Sequence, residues 1–376
     1  MPLNTLILTQ FVPEQDSRAG RLAAFLREAG GTCEVIGVSE PIDSAARNEP
    51  AEETPGRLRQ RWRRYARTWS VLRASSRQAD QVVAVNCEIG LVTGLYRAMH
   101  WSRFRLVLDV YDHHGDVFES RLLSGVFSVL EVTAALLAGR VVLPIRERLA
   151  QYPRWSRSAI GAKALYISNV GFELPRSSQA VGGDGATASS DEQRSRTDGP
   201  MRIVYCGNVD FSRGLDVLVS VVDAMPGRAE LTIYGGGVAL EEFSKLPGTS
   251  GSVLFRGPFR NAELAELARG HDLFWAVYDL RVRNNRYCDP NKFRDHIVVD
   301  LPIVTNPGHP LADLVARSGS GFVIPLESQA LRRFLADLKP EAIAARKPSR
   351  VGAEAVLVSV IEANRDAGYA LVRETG

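Results

Sequence analysis

The residues between 287 and 304 form the most chemically suggestive stretch of the chain. Asp289 and Pro290 suit the N-cap and the first position of a helix. The i, i+3, i+4 spacing then predicts a polar face formed by Lys292, Asp295 and His296. A helix with a lysine in its first turn and a carboxylate one turn later can hold a diphosphate and a ribose diol. The same pattern also fits an ordinary capped surface helix.

A second candidate for anion binding follows the apolar segment Arg202–Cys206. A loop containing Gly207, Asn208 and Arg213 connects this predicted strand to a helix that begins near Leu215. Amides at a helix N-terminus bind phosphate, and an arginine adds charge. The loop is neither a Walker motif nor a dinucleotide fingerprint, and a tight turn with a solvated arginine would look the same. Two later strands end in turns where glycine lets a ligand approach the backbone, at Gly235, Gly236 and Arg256.

Acids and histidines follow the predicted strand Leu106–Val110 in the first half of the chain. They are Asp109, Asp112, His113 and His114. Because they end a buried strand, we expect these side chains to face a ligand-binding cleft. Neighbouring side chains seldom converge on one ion, so we expect no metal. Structural hydrogen bonds are the alternative explanation for the histidines.

Short apolar segments alternate with amphipathic segments of helical length through both halves of the chain. The predicted strands of the first half are Leu6–Thr9, Cys33–Val38, Gln81–Asn86, Leu106–Val110, Arg140–Leu143 and Ala164–Ile167. Those of the second half are Arg202–Cys206, Glu230–Tyr234, Val253–Arg256, Leu273–Val277, Pro302–Thr305 and Gly321–Ile324. This alternation predicts an α/β protein with parallel sheets covered on both faces.

At 376 residues the chain is too long for one ordinary domain. We expect two doubly wound, Rossmann-like domains at residues 1–175 and 201–376, with a final helix that could cross back. Residues 176–200, rich in Ser, Gly, Asp and Thr, are predicted to form a flexible linker. Two such domains create a cleft at the carboxyl ends of their strands, where sheets of this kind bind ligands.

Composition and charge exclude several classes of protein. A net charge of +3 is too small to indicate nucleic-acid binding. The four scattered cysteines indicate free thiols in a reducing cytosol, and the first residues resemble a strand rather than a signal peptide. The longest apolar run, 122–144, is interrupted by Glu131 and Arg140, which favours a helix and a strand over a membrane span. We therefore expect a cytoplasmic protein.

The segment Arg57–Arg77 carries eight arginines and no acid. Trp62, Tyr65 and Trp69 fall on one stripe of a predicted helix. A basic helix with an aromatic stripe suits an anionic membrane surface, such as the inner face of the cell membrane. The alternative is a helix that packs its aromatic residues on its own domain and leaves its arginines in solvent.

Four segments of the second half together resemble the nucleotide-sugar domain of GT-B glycosyltransferases, specifically glycosyltransferase family 4. They are YCGNVDFSRGLDVLV, LTIYGGG, VLFRGPF and PNKFRDHIVVDLPIV. In the first half, VPEQDSRAGRLAAFLREAGGTCEVI is similar to the first βα unit of that family. ADQVVAVNCEIGLVTGLYRAM and RLVLDVYDHHGDVF are similar to its later strands and catalytic loop. The resemblance covers nearly the whole chain except residues 42–76 and the linker.

The resemblance implies that Arg213 and Lys292 bind the donor diphosphate. Asn208 occupies the position of the arginine that is usual in the family, and Lys292 is expected to replace that arginine. Asp295 matches the second of two paired glutamates, which receives the ribose hydroxyls, and Tyr287 falls on the first.

The remaining roles implied by the resemblance concern the sugar and the acceptor. The loop Asn284–Asn291 is expected to recognise hydroxyls of the donor sugar, partly through its backbone. Asp112 and His113 match positions that contact donor sugar and acceptor. Arg18, in the first βα loop, could neutralise phosphate across the cleft or merely cap a surface turn.

We therefore expect a retaining, metal-independent glycosyltransferase without a cofactor. It would move a sugar from a nucleoside-diphosphate donor to a hydroxyl of a lipid-linked or polysaccharide-precursor glycan. Arg213, Lys292 and the helix N-termini near Leu215 and Asn291 would stabilise the departing diphosphate. The alternatives are a nucleotide-sugar epimerase on the same fold and a non-catalytic nucleotide-sugar-binding subunit.

Overall fold

The computed structural model describes residues 2–11, 16–39, 55–111, 121–174, 199–245, 251–289 and 291–373. The chain divides into two compact units. The N-terminal unit comprises Met1–Glu173, Tyr287–Asp289 and Val360–Gly376, and the C-terminal unit comprises Leu174–Arg286 and Pro290–Ser359. Most of the predicted linker at 176–200 lies outside the described residues.

The N-terminal unit is built on a six-stranded sheet. Its strands are β1 (Asn4–Thr9), β2 (Thr32–Gly37), β3 (Gln81–Val85), β4 (Arg105–Asp109), β5 (Arg140–Leu143) and β6 (Ala164–Tyr166). Its helices are α1 (Ser17–Glu28), α2 (Pro55–Ser75), α3 (Cys87–Met99), α4 (Arg121–Leu137) and α5 (Arg154–Gly161). The strand order is β2-β1-β3-β4-β5-β6, and every pair is parallel.

The C-terminal unit contains a second six-stranded sheet. Its strands are β7 (Met201–Cys206), β8 (Ala229–Tyr234), β9 (Val253–Gly257), β10 (Leu273–Trp275), β11 (Ile303–Thr305) and β12 (Gly321–Val323). Its first helices are α6 (Leu215–Asp223), α7 (Leu240–Lys245), α8 (Leu264–Leu267), α9 (Lys292–Val299) and α10 (Pro310–Ser318). They are followed by α11 (Ser328–Asp337), α12 (Pro340–Ala345), α13 (Pro348–Val351) and α14 (Ala353–Arg373), the last of which extends into the N-terminal unit. The strand order is β12-β11-β10-β7-β8-β9, again all parallel.

The central strands of the N-terminal sheet are buried because they are almost entirely apolar. Val82 and Ala84 face a core shared with α2 to α5, whereas Val83 and Val85 face α1 and the end of α14. A strand whose successive residues point into two different cores needs no polar face. The predicted α/β class with parallel sheets covered on both faces is therefore confirmed.

Helix α2 occupies the predicted basic segment, but its aromatic residues do not share one environment. Trp69 packs on Tyr96, with ring centroids 5.0 Å apart, and the Tyr65 hydroxyl donates to Glu88 at 2.8 Å. Trp62 is 69% exposed. The predicted aromatic stripe therefore packs mainly on its own unit, as the alternative interpretation of this helix requires.

The long apolar run of the first half forms α4 followed by β5, as predicted from the interruptions at Glu131 and Arg140. Among the residues that the structure describes, none of the helices has both the length and the apolar character needed to span a membrane.

Candidate functional site

The strand order of the C-terminal sheet identifies its ligand-binding edge. From β7 the chain proceeds to β8 and β9 on one side, whereas β10, β11 and β12 lie on the other side. In open α/β sheets, ligands bind outside the carboxyl ends of the strands where the strand order reverses. This switch point lies between β7 and β10, so the loop from Gly207 and the residues after Trp275 border it.

The turns after β7, β8 and β9 are joined by backbone hydrogen bonds. The amide of Val209 donates to Gly236 at 2.9 Å, and that of Gly235 donates to Gly257 at 2.7 Å. Gly235 has φ +150°, and a Cβ there would lie 1.7 Å from the carbonyl oxygen of Gly207. Glycine is therefore required at 235, and the strand ends present a surface of bare backbone.

Lys292 is the first residue of α9 and reaches back to the end of β7. Its ammonium donates to the carbonyl of Cys206 and lies 3.2 Å from Oδ2 of Asp295. It also lies 5.3 Å from the ring centroid of Phe274 in β10, and a Cβ on Gly207 would lie 3.4 Å from it. The ammonium is therefore at the switch point, as a residue that binds a diphosphate there requires.

The start of α9 differs from the sequence prediction. Asn291, not Asp289, is the N-cap residue, and its side chain makes no capping hydrogen bond. The carboxylate of Asp289 is buried and accepts from the backbone amide of Asn169 at 2.7 Å, within the N-terminal unit. Pro290 lies outside the described residues. The predicted N-cap role of Asp289 was wrong because a partner distant in sequence holds its carboxylate.

His296 was also assigned to the wrong face of α9. Its ring is fully buried, and Nε2 lies 2.8 Å from Oγ of Ser320. Burial lowers the pKa of His296 to about 4, so the ring is neutral at physiological pH. His296 therefore anchors the helix, whereas Lys292 and Asp295 form the predicted i, i+3 polar pair.

Arg213 lies on the β10 side of the same edge. Its guanidinium is 4.9 Å above the ring centroid of Tyr278, and Nη1 donates to Oδ1 of Asn285 at 3.3 Å. Its backbone carbonyl accepts from the indole of Trp275 at 3.1 Å. Asn306 in turn makes two hydrogen bonds of 2.9 Å to the backbone of Tyr278. The arginine is therefore held by contacts with aromatic and polar groups that are themselves hydrogen-bonded.

His309 completes this set and was not predicted from the sequence. Its ring stacks on Tyr278, with centroids 4.3 Å apart. Nδ1 accepts from the amide of Leu311 at 3.0 Å, so the proton of the neutral ring lies on Nε2. Burial and the charge of Arg213 lower the pKa of His309 to about 3. Tyr278 and Asn306 closely follow buried strands, the same signal that singled out Asp109 in the first half.

Tyr205, on β7, is close to both cations. The Lys292 ammonium lies 6.0 Å from its ring centroid, and its hydroxyl donates to the carbonyl of Asn208. Burial raises the pKa of Tyr205, and the charge of Arg213 opposes that rise. The structure thus gathers most of the predicted donor-binding residues at one edge of the sheet. These are Gly207, Asn208, Arg213, Gly235, Gly236, Lys292 and Asp295.

The other predicted residues of this unit are less involved. Arg256 is exposed on the edge strand β9, and Asn291 is exposed at the N-cap of α9. A cavity of about 720 Å³ opens beside Tyr278 and Asn306, with Phe211 on its wall. Among the described residues, Arg286 of the predicted sugar-recognition loop Asn284–Asn291 lines this cavity, whereas Arg213 and Lys292 do not. The residues predicted to bind the diphosphate therefore lie along the glycine-lined edge, whereas the loop predicted to recognise the sugar borders the open cavity.

The predicted residues of the N-terminal unit have a different environment. Arg18 is buried, with Nη2 2.8 Å from Oδ1 of Asp109 and Nε 3.0 Å from Oδ2. Nη1 donates to the carbonyl of Ile167 at 2.9 Å and to Oδ1 of Asn169 at 2.5 Å. Burial alone would lower the pKa of Arg18, but the Asp109 carboxylate outweighs that effect and the pKa is raised. These contacts favour a structural role over the predicted phosphate contact.

Asp16 and Tyr111 extend the same buried network. The Asp16 carboxylate accepts from the Tyr111 hydroxyl at 2.6 Å and from the amide of Ala19 at 3.0 Å, which caps α1. Asp112 and His113, predicted to be catalytic, lie outside the described residues. Within the described ranges, no three His, Cys, Asp or Glu side chains are grouped as a metal site would require. Metal independence stays a prediction.

No protein-family model matches the chain, and no curated protein matches it by sequence. Among solved structures, HepE from Anabaena in complex with UDP and glucose superimposes with a TM-score of 0.65. It is 15% identical, over 99% of this chain and 100% of that chain. Sucrose-phosphate synthase from Thermosynechococcus elongatus has a TM-score of 0.70 and 16% identity, over 99% and 98%. The chain has the GT-B fold. The lipopolysaccharide outer core galactosyltransferase WaaB, with a TM-score of 0.57 and 12% identity over 98% and 100%, is a third GT-B neighbour.

Proposed function

We propose that the protein is a glycosyltransferase that uses a nucleoside-diphosphate sugar as its donor. The observation that carries the proposal is the position of the Lys292 ammonium. It lies at the switch point of the C-terminal sheet, next to backbone turns without side chains and on the same edge as Arg213. The structural neighbours support it, because HepE was solved with UDP and with UDP-glucose.

In the proposed reaction, the bond between the anomeric carbon and the diphosphate oxygen breaks, and the acceptor oxygen bonds to that carbon. Negative charge develops on the departing diphosphate. Lys292, Arg213 and the first amides of α9 would stabilise that charge without reorganising. Asp295, one turn along α9 and paired with Lys292, would accept hydrogen bonds from the ribose hydroxyls.

We further propose the retaining course that is implied by the resemblance to glycosyltransferase family 4. A donor phosphate oxygen would take the proton of the acceptor hydroxyl on the face from which the diphosphate leaves. The nearby thiol of Cys206 does not suit a nucleophile, because burial raises its pKa to about 12 and the thiolate is scarce at neutral pH. This course requires neither a metal nor an enzyme nucleophile.

The acceptor proposed from the sequence is a glycan, carried on a lipid or growing as a polysaccharide precursor. Contact with an anionic membrane surface would bring a lipid-linked acceptor to the enzyme. A non-catalytic nucleotide-sugar-binding subunit is the second candidate, since Asn208 and Tyr287 replace charged residues that are usual in the family.

A donor-hydrolysis assay tests the proposal. The purified chain is incubated with UDP-, GDP- and dTDP-sugars, and release of the nucleoside diphosphate is measured. We expect slow release from one donor class, together with a rise in melting temperature when that donor binds. Thermal stabilisation without release would support the non-catalytic subunit, and neither effect from any donor would contradict both functions.

Substitution at the switch point tests which residues carry the reaction. We expect Lys292→Ala and Arg213→Ala each to reduce turnover at least about 100-fold, the scale of one lost charge-stabilising donor. Lys245→Ala is the matched control, because Lys245 lies on the same unit but is exposed and pairs with Glu241. Turnover at the wild-type rate in both site variants would contradict the assignment.

A further inference from the structure

The helices on one face of the N-terminal sheet present a surface without exposed acids. The sequences of α2 and α5 contain no acid, α3 contains only Glu88, and α4 contains only Glu131. Both glutamates are buried. We call the outward side of α2, α3, α4 and α5 the helical surface. Its charged groups are therefore all cations.

Neither glutamate is exposed on the outer side of the helices. Glu88 lies 2.8 Å from Nη1 of Arg64 and 3.5 Å from Nε of Arg61, and it accepts from the Tyr65 hydroxyl. Glu131 faces inward, where its charge and a hydrogen bond raise the pKa of Tyr152 beyond the rise caused by burial. Neither carboxylate can therefore offset the arginines at the outer side of the helices.

Helix α4 exposes a stripe on this surface that is apolar except for Thr133, whose hydroxyl donates to the carbonyl of Val129. Its outward residues follow the i, i+4, i+7 pattern and are all exposed: Leu122, Val126, Val129, Thr133 and Leu136. Leu122 is 77% exposed and Val129 is 64% exposed. A surface helix normally carries polar residues on the side away from the core. A stripe of this kind marks a surface that contacts an apolar environment.

Helices α2 and α3 continue the stripe and add the charge. Helix α3 packs against both α2 and α4 and exposes Leu95 and Met99. Helices α2 and α4 meet where the Arg61 guanidinium lies 4.9 Å above the ring centroid of Phe127. Next to that contact, α2 exposes Trp62. The exposed arginines on the same side of α2 are Arg59, Arg63, Arg67 and Arg73.

We propose that the helical surface docks on an anionic lipid bilayer. The stripe of α4 and the ring of Trp62 enter the interface between headgroups and acyl chains, where aliphatic and indole side chains are favoured. The arginines of α2 then lie at the level of the lipid phosphates, and each contributes to attraction by the negative surface. The inference does not depend on transferase activity, and it refines the membrane contact expected from the sequence of α2 alone.

A bilayer fits the surface better than a second copy of the chain or a nucleic acid. A two-fold interface would bring the same patch of both copies together, so arginines would face arginines with no exposed acid of these helices to pair with. Nucleic acids are bound through phosphate and base contacts, which leave an aliphatic stripe without a role. An anionic bilayer accommodates both the cations and the stripe.

Vesicle flotation with the full chain tests the proposal. The probes are phosphatidylcholine vesicles with and without phosphatidylglycerol, and no donor sugar is needed. We expect the wild-type chain to float with the anionic vesicles and to bind neutral vesicles at least about tenfold more weakly. Higher salt should weaken binding to anionic vesicles, because it screens the arginines.

Two pairs of substitutions separate the apolar contribution from the charge. We expect Val126→Gln with Val129→Gln, and separately Arg59→Gln with Arg67→Gln, each to reduce vesicle binding at least about tenfold. The matched controls lie on exposed positions of the C-terminal unit. They are Leu254→Gln with Val323→Gln for the apolar pair and Arg332→Gln with Arg333→Gln for the arginines, and both should bind like wild type.

Three results would overturn the proposal. One is absence of flotation by a folded wild-type chain, with folding shown by a cooperative thermal transition. Another is flotation that is unchanged in the Val126/Val129 variant. The third is concentration-dependent dimerisation that this variant abolishes while vesicle binding persists, which would assign the stripe to a second copy. Donor hydrolysis measured without vesicles is scored separately, so failure of docking and failure of the transferase proposal remain distinguishable.

Discussion

Arg18 holds the first helix of the N-terminal unit to the ends of two strands. Its guanidinium contacts the carboxylate of Asp109, the last residue of β4, and the carbonyl of Ile167 just after β6. A guanidinium offers the same planar set of donors to a carboxylate as to a phosphate. An arginine in a βα loop could therefore bind either a carboxylate of the protein or a phosphate of a ligand. Burial of the whole Arg18 side chain favours the carboxylate.

We expect loss of either partner of the buried pair to be costly. Arg18→Gln and Asp109→Asn should each lower the free energy of unfolding by about 3–5 kcal/mol, because each leaves an uncompensated charge inside the unit. Urea unfolding of the full chain, followed by fluorescence and circular dichroism, measures the loss. The control is Arg365→Gln, which breaks a partly exposed pair with Glu28 and should cost at most about 1 kcal/mol.

Binding of the donor to the Arg18 variant discriminates between the two roles. If Arg18 is structural, the variant that remains folded at low temperature should bind the nucleoside diphosphate with nearly wild-type affinity by calorimetry. A loss of affinity of 10-fold or more with unchanged stability would restore the phosphate contact predicted from the sequence.

The candidate site was predictable where local chemistry decides the position of a side chain. Lys292 could be assigned because a lysine in the first turn of a helix adds charge to amides that favour an anion. Tyr278 and His309 could not be assigned a role, since they hold Arg213 through contacts that span tens of residues in sequence. Asp289 and His296 were placed incorrectly for the same reason: Asn169 and Ser320 are their partners.

At the level of elements, the strands were predictable from their composition. Runs such as Gln81–Val85 are apolar on both sides, so only a strand covered on both faces can bury them. Strand ends were harder to predict. The segment predicted to extend to Val277 forms a strand only to Trp275. Ala276 still donates to the carbonyl of Val304 on β11 at 2.9 Å, and Val277 is as buried as the strand residues, so composition does not mark where the strand ends.

The turn after β8 is where an element constrains the site most directly. We expect Gly235→Ala to abolish donor binding and to destabilise the C-terminal unit, because the new Cβ would overlap the carbonyl of Gly207 at 1.7 Å. Relief of that overlap requires the turns after β7 and β8 to separate. Thermal shift with and without the nucleoside diphosphate measures both effects.

Gly227→Ala is the matched control for this turn. Gly227 also has a positive φ, +73°, but a Cβ there would meet no atom within 4 Å. We expect it to cost only the backbone strain, about 1 kcal/mol, and to leave donor binding unchanged. Equal behaviour of the two variants would show that strain, rather than the close approach of the two turns, explains the requirement for glycine.

At the level of the whole molecule, two sheets were predictable because the strand-and-helix pattern occurs twice. The assignment of Tyr287–Asp289 to the N-terminal unit could not be predicted from the sequence. No change of composition marks the three residues at which the chain rejoins the N-terminal unit. Their position depends on the hydrogen bonds between Asp289 and Asn169. The last helix likewise has no break where it passes from one unit to the other, and Asn364 attaches it to Ser168 and Gly171.

The two buried histidines of the C-terminal unit make the stability of the chain sensitive to acid. Burial lowers the pKa of His296 to about 4 and, with Arg213, that of His309 to about 3. Both values lie below the roughly 6.5 of an unfolded histidine. As the pH falls below about 6.5, these histidines therefore become protonated in the unfolded chain but stay neutral in the folded chain. The free energy of unfolding decreases until the pH reaches the pKa values of the folded state.

The free energy of unfolding should therefore be lower at pH 5 than at pH 7 by roughly 2 kcal/mol for each histidine. Urea unfolding of the wild-type chain at the two pH values measures the total. His309→Asn should remove the contribution of one histidine to this pH-dependent loss of stability. Asparagine retains the N-cap role at α10 but does not titrate. If wild type and His309→Asn lose equal stability between pH 7 and pH 5, then His309 is not held neutral by its surroundings, and the tightly packed polar set around Arg213 would have to be abandoned.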